Sequence, residues 1–92
     1  MVESRGSFDA LQIVGNPWDR QPCDTPKSWH AFQLYRDAGY DRSMSHTAEQ
    51  IGVKTKLLLR WSMRYAWVMR TDAFDKHHDT IKQSLVEQKL RL

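Results

Sequence analysis

The residues best placed to do chemistry lie at positions 44–64, in MSHTAEQIGVKTKLLLRWSMR. Lys54, Lys56, Arg60 and Arg64 recur there at intervals of two to four, the spacing that places side chains along one helix. Cations in that arrangement bind phosphate oxygens, and Lys or Arg also pairs with the acceptor edge of guanine. Thr55 adds a hydroxyl at the expected start of this helix, where free backbone N–H groups attract anions. Lys56 and Arg60 are therefore read as base-edge contacts, and Lys54, Thr55, Arg64 and the nearby Arg42 as phosphate contacts.

The charge distribution points the same way. The formal net charge is only +3, but residues 28–71 hold seven basic side chains against three acidic ones. The flanks 1–27 and 72–92 sum to −1 and 0, so the excess sits in the middle third, as a polyanion-binding face requires. So few charges on one copy give weak binding to DNA, so several copies are expected to act together, in an oligomer larger than a dimer.

Other clusters carry less. Trp61, Tyr65 and Trp67 interleave with Arg60, Arg64 and Arg70, a pattern that can stack single-stranded bases. Trp61 falls at a helix-packing position, however, so this cluster reads as core. Asp75, His77, His78 and Asp79 contain metal-ligating types, but neighbours on a helix point about 100° apart and cannot share an ion well. Cys23 and His30 stand too isolated for a metal site or a nucleophile–base pair. No metal, cofactor or catalytic residue is assigned, and the chain is read as a non-enzyme.

Composition narrows the class further. No stretch approaches the roughly 18–20 apolar residues that cross a bilayer. The start, MVESRGSFDALQIVG, lacks a basic segment before an apolar core, so no secretory signal is expected. One cysteine makes no internal disulfide, which suggests a reducing, cytoplasmic setting. Four glycines and 92 residues offer neither a phosphate-cradling loop nor the mass to wall a deep cleft.

The elements that position the basic residues follow from turn signals and apolar spacing. Residues 1–27, with Gly6, Gly15, Pro17, Pro22 and Pro26, read as a poorly structured leader in which Trp18 anchors on the domain behind it. A first helix is expected from a Ser28 cap to Gly39, with Trp29, Phe32, Leu34, Tyr35 and Ala38 on its apolar face. A second runs from a Ser45 cap (or Ser43) to Ile51, and Gly52 turns the chain. Thr55 caps a third, in which Leu58 and Trp61 lock inward together with Ile51 and Val53. Ala48 supplies the small residue a helix-turn-helix needs where its two helices approach, while Thr47 stands where a larger aliphatic is more usual. Leu57 and Leu59 cannot both be buried beside Leu58, and one is expected to face a thymine methyl or another subunit. From Asp72 the pattern is helical again, with Phe74, Ile81, Leu85 and Leu90 on or beside one seam and His78 within it. The expected architecture is all-α: leader 1–27, helix-turn-helix DNA-binding domain 28–71, and oligomerisation helix 72–92.

Taken together, several runs resemble one family. They are Pro17-Trp18-Asp19-Arg20-Gln21-Pro22, Ala31-Phe32, Tyr35-Arg36-Asp37-Ala38-Gly39, Arg42-Ser43, Ala48-Glu49, Ile51-Gly52, Arg60-Trp61-Ser62, Arg64-Tyr65-Ala66-Trp67, Arg70 and Ala73-Phe74-Asp75. The pattern, over residues 17–79, is similar to phage-encoded helix-turn-helix proteins described as small terminase subunits. That resemblance implies a non-enzymatic protein that recognises a packaging site on double-stranded viral DNA. It also implies a ring-like homo-oligomer and a large terminase subunit, the motor, as partner. Carried over by position, Lys54, Thr55, Lys56, Arg60 and Arg64 contact DNA, and Phe74, Ile81, Leu85 and Leu90 hold the assembly. The sequence ends soon after the domain, so the segment for the large subunit is expected to be short or absent. The same motif serves a dimeric phage transcriptional regulator or excisionase, and three helices with a Gly turn also occur in protein-interaction adaptors.

Overall fold

The computed structural model describes residues 12–91, and the expectations for residues 1–11 and Leu92 lie outside them. The described chain is all-α. Its helices are α1 (Pro26–Asp37), α2 (Met44–Ile51), α3 (Thr55–Arg64) and α4 (Trp67–Arg91), with a 3-10 turn at Gly39–Asp41.

Local chemistry sets these boundaries. Thr25, not Ser28, caps α1: its hydroxyl accepts from the Ser28 N–H, and the Ser28 hydroxyl accepts from the Thr25 N–H. This reciprocal pair satisfies two otherwise orphaned donors, and Pro26 fits the first helical position because it has no N–H to lose. The helix ends at Asp37, and Gly39 follows inside the 3-10 turn rather than at the helix end. Ser43 caps α2 by accepting from the His46 N–H. Gly52 closes α2 at φ +75°, the left-handed backbone that a residue without a Cβ adopts at little cost. The N-cap of α3 is Lys54, with no side-chain cap bond, so Thr55 is the first helical residue rather than the cap.

The last helix begins five residues before Asp72. The chain breaks at Tyr65-Ala66, where Ala66 takes φ +53°, and α4 starts at Trp67. Its first turns belong to the core: Trp67 and Arg70 are fully buried and Thr71 nearly so. Ala31, Phe32, Ala48, Leu58 and Tyr65 complete that core, with Trp29, Tyr35, Ile51, Val53 and Trp61 packed on it. Phe32 and Tyr35 lean on the Trp67 ring at 5.6 and 5.4 Å between centroids. Thr47, the unusual residue at a packing position, is buried there.

Residues 12–25 are not a loose leader. The Gln21 side chain accepts from the Val14 N–H and donates to the carbonyls of Val14, Asn16 and Asp19. Asp24 accepts from the Gln21 N–H and pairs with Arg70 at 2.7 Å, both side chains being fully buried. The Arg70 guanidinium also donates to the carbonyls of Pro17, Asp19 and Tyr65 and stacks 4.2 Å from the Phe32 ring centre. Every donor of the fork is engaged, which is what a buried charge needs. Trp18 anchors as expected, stacked on His77 at 4.7 Å and against Phe74 at 6.3 Å.

Candidate nucleic-acid interface

Helix α3 divides cleanly into two sides. Leu58 and Ser62 are buried, and Leu57 and Trp61 are half-buried. At 100° per residue the opposite side carries Lys56, Leu59, Arg60, Met63 and Arg64. All five are exposed, Leu59 at 48% and Met63 at 76%. Of the two leucines that compete with Leu58, Leu57 tucks in and Leu59 faces out.

Lys54 is the N-cap of α3, and Lys56, Arg60 and Arg64 follow along the helix. Lys54 is exposed at the helix N-terminus, and Thr55 beside it is half-buried. No ion pair among the described residues engages any of the four cations. Arg64 rests its guanidinium 5.8 Å from the Tyr65 ring, which leaves its N–H fork available at the edge. An open groove of about 640 Å³ runs beside the start of α3, lined by Ser45, His46 and Glu49 from α2 and by Lys54 and Thr55. Its one carboxylate, Glu49, is exposed and offsets part of the local positive field.

Two residues leave the expected sets. Arg42, expected to meet phosphate, has its guanidinium engaged within the chain. Its Nη1 and Nη2 hold the Asp75 carboxylate at 2.7 and 2.8 Å, and Nε and Nη2 donate to the Tyr35 and Arg36 carbonyls. Its guanidinium therefore clamps α4 to the end of α1. The hydrogen bond from Arg42 keeps the Asp75 carboxyl below its ordinary range, against an opposing push from burial. The same bond raises the Arg42 value. Phe74, expected in the assembly set, is partly taken up within the chain. Trp18 and His78 cover its ring, and the Arg36 guanidinium lies 5.2 Å from its centre.

Ile81, Leu85 and Leu90 are exposed at 44, 57 and 80%, with Val86 beside them at 55%. The residues of the Asp75–Asp79 cluster go separate ways: Asp75 to Arg42, His77 to Trp18, His78 to Phe74 and Asp79 to the Tyr40 hydroxyl. No group of three or more His, Cys, Asp or Glu among the described residues could hold a metal. Burial pushes the Cys23 thiol up, with the Asp24 charge adding to it, so the reactive thiolate is disfavoured. No helix among the described residues is long and apolar enough to cross a membrane.

Compared with protein-family models, curated proteins and solved structures, the chain matches none. A functional reading therefore rests on the exposed face of α3 and on the residue pattern given above.

Proposed function

We propose that this chain binds double-stranded DNA, with α2 and α3 acting as a helix-turn-helix and α3 entering the major groove. The observation that carries the reading is the outward side of α3, where Lys56, Arg60 and Arg64 are exposed and without acidic partners among the described residues. Cations left unpaired on a helix held rigid by a buried opposite side are suited to a polyanion. Lys56 and Arg60 read base edges, Lys54, Thr55 and Arg64 hold phosphates, and Leu59 lies between the base-reading pair against a thymine methyl.

The role follows the resemblance to small terminase subunits: recognition of viral DNA for packaging, by a homo-oligomer in the host cytoplasm that presents it to a large terminase subunit. The protein does no chemistry of its own in this reading. A second reading, a dimeric phage regulator or excisionase, is favoured by the charge pattern of α4 described below.

Duplex binding at low salt by the double variant K56A/R60A tests the DNA reading. Strong loss of binding with retained helicity supports it. Unchanged binding sinks it and leaves a protein-interaction adaptor.

A further inference from the structure

The last helix outruns the fold that holds it. Its final tie to the rest of the described chain is the hydrogen bond between the Tyr40 hydroxyl and Asp79. From Thr80 to Leu90 every side chain is exposed, and among the described residues no hydrogen bond, ion pair or ring contact joins this stretch to another element. About three turns of helix standing alone in water are marginal in stability. These turns also carry Ile81, Leu85, Val86 and Leu90, an apolar surface that no described residue covers.

Charge along α4 says what covers it. Over residues 72–79 three aspartates face one lysine, whereas over 80–91 two lysines and an arginine face one glutamate. The helix is thus acidic at its root and basic toward its end. A parallel partner of the same sequence sets like against like along its whole length. An antiparallel copy sets each basic end against the other's acidic root. The root also offers a receptor: a recess of about 430 Å³ walled by Tyr40, Phe74 and His78 and rimmed by Asp37, Asp75, Asp79 and Lys82. Arg36 and Arg42 already hold Asp37 and Asp75, and Asp79 is left to meet a cation. Tyr40 is 82% exposed on that wall, and the ion pairs among the described residues do not include Asp79.

We infer that α4 pairs with α4 of a second copy in the antiparallel sense, with Asp79 of each opposite Lys89 of the other. The two-fold axis then passes near Ser84, with Leu85 and Val86 within about 3 Å of it along the helix. Lys82, Leu85, Val86 and Lys89 fall on the side of the helix that continues the recess, so one face supplies both the apolar contact and the charge. Such an isologous contact closes in pairs, and any larger assembly built on it contains an even number of chains. The inference stands on α4 and the recess at its root and does not depend on DNA binding.

Sedimentation equilibrium of the full chain tests it, with circular dichroism to verify helicity. The unmodified protein is expected as an even number of copies. Asp79→Lys and Lys89→Asp should each lower the mass, and the double variant D79K/K89D should restore it, which parallel pairing does not permit. Leu85→Asp should dissociate the pair in a folded chain. A concentration-independent monomer, an odd number of copies, or single reversals that leave the mass unchanged would each overturn the inference. If Lys89→Asp weakens duplex binding without altering the mass, the basic end serves DNA and the pairing is wrong. Loss of DNA binding by K56A/R60A with the pairing intact separates the two readings.

Discussion

Arg70 and Asp24, 46 positions apart, form a salt bridge of 2.7 Å with neither side chain exposed to solvent. This contact joins the segment before α1 to the first turn of α4. Replacing Asp24 by Leu leaves a buried guanidinium without its counter-charge, a loss of about 3–5 kcal/mol. A domain of this size holds roughly 5–15 kcal/mol in all, so urea unfolding of D24L should show a large share of its stability gone. Arg70→Lys should not rescue the fold, because an ammonium cannot reach the Pro17, Asp19 and Tyr65 carbonyls together.

The Arg42–Asp75 pair predicts a pH dependence. Asp75 is held below its ordinary value of 3.8 by the hydrogen bond from Arg42. A carboxylate depressed in the folded state contributes stability above its unfolded value, and that contribution fades as pH falls through the folded one. Thermal unfolding followed downward from pH 5 should show this loss below about pH 4, and D75N should flatten the acid limb. An equally steep acid limb in D75N would assign the effect elsewhere.

Gly52 predicts a purely conformational cost. A Cβ built there meets nothing within 4 Å, yet φ is +75°. Gly52→Ala should therefore destabilise by about 1–2 kcal/mol, with no steric contribution. For a domain of this length that lowers Tm by roughly 4–16 °C. Gly52→Asn should cost less, since Asn tolerates the left-handed region.

Leu59 predicts a dependence on a single methyl group. If it meets thymine, replacing thymine by uracil in the bound duplex removes only the C5-methyl. The loss of about 0.8 kcal/mol corresponds to roughly fourfold in Kd. L59A should show no further sensitivity to that replacement. Equal affinities of the unmodified protein for both duplexes would place Leu59 against something other than thymine.

What the sequence revealed depended on the range of the interaction. The turn between α2 and α3 was readable because Ala48, Gly52, Leu58 and Trp61 act within a few residues of one another. The division of α3 was readable because the helical period alone separates Leu58 from Lys56 and Arg60. The cap of α1 was misplaced by three residues, since Ser28 is a polar residue after a proline whether it caps or answers a cap. The segment 12–25 looked unstructured because its order comes from Gln21, Asp24 and a guanidinium far along the chain. Arg42 and Phe74 misled in the same way: a basic residue near a basic helix, and an aromatic on a seam, each found its partner on a distant element. The four cations of α3 were found from spacing, whereas the recess beside Tyr40 left no local signal.

Ala66 carries a Cβ in a left-handed backbone at φ +53°, a conformation glycine adopts more cheaply. The joint between α3 and α4 is thus bent against local preference and must be held by its surroundings. Arg70 holds it: its backbone N–H bonds the Ala66 carbonyl and its side chain bonds the Tyr65 carbonyl, while the same guanidinium grips Pro17 and Asp19. The angle at which α3 leaves α4 is therefore governed from a segment that touches neither the outward side of α3 nor the end of α4. An alteration at Pro17 or Asp19 would be felt as a change of aim.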